Sequence, residues 1–413
     1  MFRSLSLRSG GPVPGCLAMA TLGLLLAACA APIKPISPAP PSPAMARTKT
    51  PGEAEARPEA VPRPTPSGKV KIALLLPLTG RGRDVGTAML EAAELAIFDG
   101  AGRDVAIMPI DAGDTPERAI AAVERAAREG ASILLGPLFG PAAAAAAQAA
   151  REVKLEMVSF SNDEGVAQPG LYPMGLAMRP QVTRVAEYAL SRGIKRFAAF
   201  SPSTPYGDQA TRALRDAVAS RGGTVVAAER LPAAGGDVSA GARRIGAALN
   251  DGAGGATAVF LPVAGASLAS AGQALRDAGL DPAKARLLGT GVWDTPTIAA
   301  EGAIPGAWFA APDPARRADF ERRFAAVHGK PPHRLATLSY DAVMMSARLA
   351  RLKPGGDFSA AALTDPAGFQ GLDGLYRFRP DGRVERALAV LEIGADRVRV
   401  VDPAPTSLDR PSN

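Results

Sequence analysis

Three glycines set the first chemical question. Gly80-x-Gly82-x-x-x-Gly86 follows the apolar run "VKIALLLPL" and precedes a helical pattern. Strand, glycine-rich turn and helix is how a dinucleotide-binding unit begins, with the pyrophosphate at the helix N-terminus. Asp111 closes the next apolar run, "VAIMPID", about where an acid would meet a ribose. A ligand cleft is the other use of such a turn, because glycine lets backbone come close to a bound molecule. Other chemistry is thinly provided. The two histidines, His328 and His333, lie in "HGKPPH", and a metal site there would need further ligands nearby. The sequence carries no Gly-x-Ser-x-Gly elbow and no phosphate loop ending in Gly-Lys-Ser/Thr. Its two cysteines, Cys16 and Cys29, both fall near the start, so the remainder has no thiol for catalysis, a disulfide or a thiolate metal site. The expectation is a non-enzymatic chain without metal or cofactor.

The elements around these residues begin with a leader. Arg3 and Arg8 form a basic region, Leu17 to Ala28 is apolar and too short to span a bilayer, and Leu26-Ala27-Ala28 offers small residues at a cleavage site. Residues 1–28 therefore read as a signal peptide. Exported chains also meet little soluble nicotinamide cofactor, which weighs against the dinucleotide use of the glycine turn. Ala30 to Gly68 holds eleven prolines and few large apolar side chains. Such a segment buries too little surface to offset its ordering entropy, so residues 29–68 read as a disordered linker. At about 3.1 Å per residue it would reach on the order of 100 Å. The net charge of +7 is spread along helices where arginines alternate with acids, as in "PERAIAAVERAAREG". No basic, aromatic-rich stripe suggests nucleic acid.

From Lys69 to Asp402 run about 330 residues, enough for two lobes. Short apolar runs bounded by Gly and Pro alternate with helical patterns. Val70–Leu76 reads as a strand, Val85–Phe98 as a helix, Val105–Ile110 as a strand and Pro116–Glu129 as a helix. Strand Leu155–Phe160 ends the first series, and the alternation restarts with helix Gln181–Ser191. Two long helices, Arg316–His328 and Leu335–Leu352, precede the strand-like "GLYRF", "ALAVLEI" and "RVRVV". The fold class expected is α/β: two doubly wound parallel-sheet lobes with a cleft at the carboxyl ends of their strands. Lobe one is expected at about 69–177 and 313–385, lobe two at about 178–312 and 386–402, and residues 403–413 form a tail.

The motifs themselves resemble a family. "IALLLPLTGRGRDVGTAMLEAAELA" is similar to the opening of the type I periplasmic binding proteins, the leucine-binding group. So, in order and spacing, are "LLGPLFG" (134–140), "VSFSND" (158–163), "RPQ" (179–181), "SPSTPYGDQ" (201–209) and "LSYDAVMMSA" (338–347). The resemblance implies a cleft lined by Thr79, Gly80, Phe139, Gly140, Ser161, Asn162, Arg179, Tyr206, Trp293 and Asp294. Arg179 would clamp a carboxylate or bridge the hinge; Tyr206 and Trp293 would stack on a ligand or pack between lobes. Ser161 and Asn162 would meet a ligand past a strand end or cap the next turn. The same resemblance implies hydroxyl and acid anchors for an amino acid, yet these positions fall near Gly140, Asp163 and Gly291. Tyr206 matches, but a buried zwitterion without its partners is costly, so amino-acid capture is disfavoured.

The leader resembles the lipobox of bacterial lipoproteins, with Cys29 acylated. Ala30, rather than aspartate, implies sorting to the outer membrane by analogy with enteric bacteria. "FSNDEGVAQPGLYPMGLAMRPQ" with its lipobox and linker resembles the lipoproteins that activate penicillin-binding proteins, though the helical-repeat domain of larger relatives is missing. The expected partner is then a peptidoglycan synthase on the periplasmic side of the envelope. The alternative is a solute receptor that hands a small-molecule ligand, such as an amino acid, to an ABC permease.

Overall fold

The computed structural model describes residues 69–232, 236–250, 255–295, 297–299 and 304–409. The signal peptide, Cys29 and the linker expected at 29–68 lie outside the described residues. Apolar runs become strands where they can be buried on both faces. β1 (Val70–Leu76) is buried at every residue but Lys71. It leads through a turn at Gly80–Gly82 into α1 (Arg83–Phe98). β2 (Val105–Asp111), α2 (Pro116–Arg128), β3 (Ile133–Leu135), α3 (Gly140–Glu152), β4 (Met157–Ser159) and β5 (Leu171–Pro173) follow. These strands form a parallel sheet of order β2-β1-β3-β4-β5. Helix starts are chemically marked: the Thr115 hydroxyl accepts from the Arg118 N–H, and Pro116 occupies the first turn, where its missing donor costs nothing.

The chain then builds a second sheet. Its elements are α4 (Met178–Ser191), β6 (Arg196–Pro202), α5 (Pro205–Ala219), β7 (Thr224–Leu231), α6 (Ser239–Leu249), β8 (Thr257–Phe260), α7 (Gly265–Asp277), β9 (Ala285–Gly289) and β10 (Trp308–Ala311). It returns to the first sheet with α8 (Pro314–His328) and α9 (Ala336–Ala350), adds the short α10 (Ala360–Leu363), and makes a three-stranded antiparallel sheet of β11 (Phe369–Gly371), β12 (Gly374–Phe378) and β13 (Val384–Arg386). β14 (Ala389–Ile393) and β15 (Val398–Asp402) finish the second sheet, whose order is β15-β14-β10-β9-β8-β6-β7. β14 runs antiparallel to β10, so this sheet is mixed rather than wholly parallel.

Each large sheet is covered on both faces, as parallel strands require. One side of the first sheet packs Met89, Phe320, Phe324 and Val343 from α1, α8 and α9; the other packs the alanine-rich faces of α2 and α3. In the second sheet, Val185 and Leu214 from α4 and α5 fill one side, and Ile245, Leu268 and Trp293 fill the other. The α/β class and the two wound sheets expected from the sequence are present. The strand expected at Leu155–Phe160 narrows to three residues, and Leu171–Pro173 adds an edge strand with no period of its own in the sequence.

Candidate functional site

The glycine turn is built by packing. An added Cβ on Gly86 would lie 2.1 Å from the Pro77 carbonyl oxygen, so only glycine lets α1 come this close to the end of β1. Gly207 repeats the device against the Pro202 carbonyl, at 2.0 Å, where α5 follows β6. Gly82 lies under the Phe139 ring, with the would-be Cβ 3.0 Å from Cζ. Gly80 takes φ +74°, a left-handed turn that glycine adopts freely. Asp111 is likewise structural. Its carboxylate accepts from the N–H groups of Leu78 and Gly113, both at 3.0 Å, from the Thr79 hydroxyl at 2.7 Å and from Arg118 at 2.5 Å. Burial opposes its ionisation, but those hydrogen bonds and Arg118 hold the carboxyl below its usual range. Thr79 also accepts from Arg118, at 2.8 Å. The turn and its acid are therefore tied to each other.

Beside this turn, the carboxyl ends of β1, β3 and β4 open on a cavity of about 640 Å³. Val85 of α1, Leu138, Phe139 and Pro141 ahead of and in α3, Phe160 after β4, Leu176 and Leu335 give it apolar walls. Arg81, Asp114 and Asn162 supply its polar points. Arg81 is almost wholly exposed and 3.7 Å from Asp114, a weak surface pair that a ligand could separate. Ser161 is buried, and its hydroxyl accepts from the Asp163 N–H at 3.0 Å. Asp163 in turn accepts from the Gly165 N–H at 2.9 Å, and its other oxygen faces Gly140. Of the residues expected to line a cleft, Phe139 and Asn162 line this cavity. Gly80, Gly140 and Ser161 lie in its supporting turns, and Thr79 is held by Asp111 and Arg118. Arg81, Asp114 and Leu335 also line it and were missed. Arg81 and Asp114 looked like ordinary surface charges, and Leu335 lies far along the chain.

The second-sheet candidates are placed differently. Arg179 is exposed and donates to Asp216 at 3.3 Å, linking α4 to α5. The Tyr206 hydroxyl shares a hydrogen bond of 3.1 Å with Thr290, and burial pushes its pKa up. The N–H of Gly291, where an acid was expected, donates to Gln181 at 2.6 Å. Trp293 corrects the sequence reading. It is fully buried, its indole N–H donates to the Val263 carbonyl at 2.6 Å, and its ring lies on Gly289 and edge-on to Phe309. A tryptophan so placed is core and cannot stack on a ligand.

Asp294 corrects it again, because its carboxylate is already occupied. One oxygen accepts from Arg317 at 2.6 Å and the other from Arg334 at 2.9 Å. Arg334 also reaches fully buried Asp373 at 2.8 and 3.3 Å, and Thr337 donates to the same acid at 2.7 Å. Burial works against both ions. Even so, Asp373 is held below the ordinary carboxylate range by Arg334 and Arg386, and Arg334 is held protonated by Asp373 and Asp294. Nearby Asp341 is pushed up to about 7 by burial and by the Asp373 charge. The histidines are structural here. The His328 ring packs 4.4 Å from that of Phe324, and His333 accepts from the Leu335 N–H. Among the described residues no group of three His, Cys, Asp or Glu side chains is placed to hold a metal ion, and no helix is long and apolar enough to cross a membrane.

A sequence-family model described as periplasmic binding protein matches residues 69–397. Solved structures with this fold include a Rhodospirillum rubrum protein assigned to branched-chain amino acid ABC transport, 22% identical, covering 81% of this chain and 100% of its own, with a TM-score of 0.72. An ABC transporter substrate-binding protein from Sphaerobacter thermophilus is 20% identical, covers 82% and 98%, and gives 0.66. One from Desulfitobacterium hafniense, complexed with Leu, is 18% identical, covers 81% and 100%, and gives 0.62. At these identities the likeness is one of fold. No curated protein gives a significant match.

Proposed function

The chain belongs to the periplasmic binding protein family, and from that premise we propose that its two-sheet domain is the recognition module of a solute receptor. It works outside the cytoplasm and delivers a small molecule to an ABC permease. The observation that carries this reading is the cavity of about 640 Å³ at the carboxyl ends of β1, β3 and β4. Open α/β sheets take ligands at such ends, and small-molecule sites are mostly apolar with a few polar points. The structural relatives support the same reading, since those named above are assigned to ABC transport. A ligand at a hundredfold excess over its dissociation constant would stabilise the domain by about 2.7 kcal/mol. The test is a thermal melt of the protein with a dialysable small-molecule fraction of the periplasm. The reading expects a rise in Tm that Asn162→Trp, which fills the cavity from an exposed position, abolishes. No rise with any fraction would end it.

A second reading is favoured by the sequence around Cys29. A lipobox, a long proline-rich tether and the branch motifs between Phe160 and Gln181 fit an outer-membrane lipoprotein that activates a penicillin-binding protein. On that reading the surface matters more than the cleft. Retention of the tethered domain on an immobilised bifunctional penicillin-binding protein, unchanged by Tyr206→Ala, would favour it over transport.

A further inference from the structure

The charge cluster at Asp294 crosses between the two sheets. Asp294 follows β9 directly after Trp293, which is anchored in the core of the second sheet. Its partners belong to the other body. Arg317 is on α8, whose Phe320 and Phe324 pack in the core of the first sheet, and Arg334 precedes α9, which packs in the same core. Next along the chain, Leu335 is a wall of the cavity. One carboxylate on the second sheet is thus gripped by two guanidiniums on the first, and one of those adjoins the candidate site.

The grip is largely buried. The side chains of Asp294 and Arg317 are only 10% and 8% exposed. Arg334 is pinned from behind by Asp373 and Thr337. Charge-assisted hydrogen bonds in such surroundings are stronger than at the surface, and losing one partner leaves a buried charge uncompensated. The remaining Nη1 of Arg317 is buried with no hydrogen-bond partner, so this guanidinium has no second carboxylate to replace Asp294 beyond the Glu321 it already holds. Moving the second sheet away from the first must pull Asp294 out of both pairs.

We infer that Asp294, Arg317 and Arg334 form an inter-lobe latch that sets how far the cleft opens. The latch regulates the candidate site and rests on reading that site as a ligand cleft. A side chain expected to meet ligand instead holds the lobes. Its release changes the separation of the lobes, and the populations of latched and released forms decide how readily the cavity admits a molecule.

Spin labels measure this directly. The two native cysteines, Cys16 and Cys29, lie outside the two-sheet domain and are replaced by Ser before labelling. Labels on Glu117→Cys of α2 and Arg212→Cys of α5, both exposed, report the lobe separation in the full chain without ligand. The wild type should give one narrow distance distribution. Asp294→Asn should raise the population at other separations by about tenfold or more. Arg334→Lys, which keeps the charge but loses the forked geometry, should broaden the distribution less; it decides the matter if Asp294→Asn fails to fold. A distribution unchanged in centre and width by the foldable variants overturns the latch. The solute-receptor reading fails separately, by the absence of any stabilising small molecule, because the distance measurement uses none.

Discussion

Replacing Trp293 separates a cleft residue from a core residue. The indole is fully buried, donates to the Val263 carbonyl at 2.6 Å and covers Gly289, whose added Cβ would fall 2.4 Å from the ring. Truncation to alanine leaves a cavity, costing about 3–5 kcal/mol. It also leaves the Val263 carbonyl without its donor, about 1 kcal/mol more. For about 330 residues the unfolding entropy is about 0.7 kcal/mol/K, so each kcal/mol lowers Tm by about 1.5 °C. Trp293→Ala should therefore melt about 6–9 °C below wild type. Trp293→Phe keeps most of the volume but not the hydrogen bond, and should lose about 2–3 °C. Calorimetry and urea unfolding measure both. A Trp293→Ala protein within about 1 kcal/mol of wild type, yet altered in ligand binding, would refute the core placement.

Three further outcomes follow from single sites. Gly86→Ala forces a methyl group onto the Pro77 carbonyl and should cost about 2–3 kcal/mol in urea unfolding; a neutral effect would disprove the close approach. Asp341 titrates at about 7 in the fold but near 3.8 unfolded, so the native state holds a proton that the unfolded chain has lost. Stability from this group is fully present below pH 3.8 and is lost as pH rises through 7; Asp341→Asn should therefore gain stability relative to wild type across that range, and a pH-independent difference would contradict it. Cys29→Ser should abolish incorporation of labelled palmitate, and equal labelling would sink the lipobox assignment.

What the sequence disclosed follows from how local the signals are. β1 and α1 are legible because an apolar run buried on both faces and a glycine-marked turn need no distant partner. The start of α2 is legible because Thr115-Pro116 is a cap and a first-turn proline in adjacent residues. β4 is legible only as the longer apolar run Leu155–Phe160, and the edge strand β5, three residues without a period, has no signal in the sequence. Trp293 and Asp294 were misassigned for a different reason. A residue just past a strand can turn to the cleft or to the core, and only its partners decide. Trp293 finds Val263 and Phe309; Asp294 finds Arg317, Arg334 and, through Arg334, Asp373. Those partners lie 16 to 79 positions away, beyond any motif. The glycine turn shows the converse limit. Its spacing fits a dinucleotide site as well as a cleft, and Pro77 packing against Gly86 is visible only in three dimensions.

Native mass spectrometry of the full chain, purified gently from the envelope, addresses the receptor assignment most directly. Cavity residues Phe139, Phe160 and Leu335 surround a volume suited to one small molecule. The wild type should carry a one-to-one adduct of small-molecule mass, lost with Asn162→Trp. A bare protein mass under conditions that preserve a control receptor's ligand would contradict it.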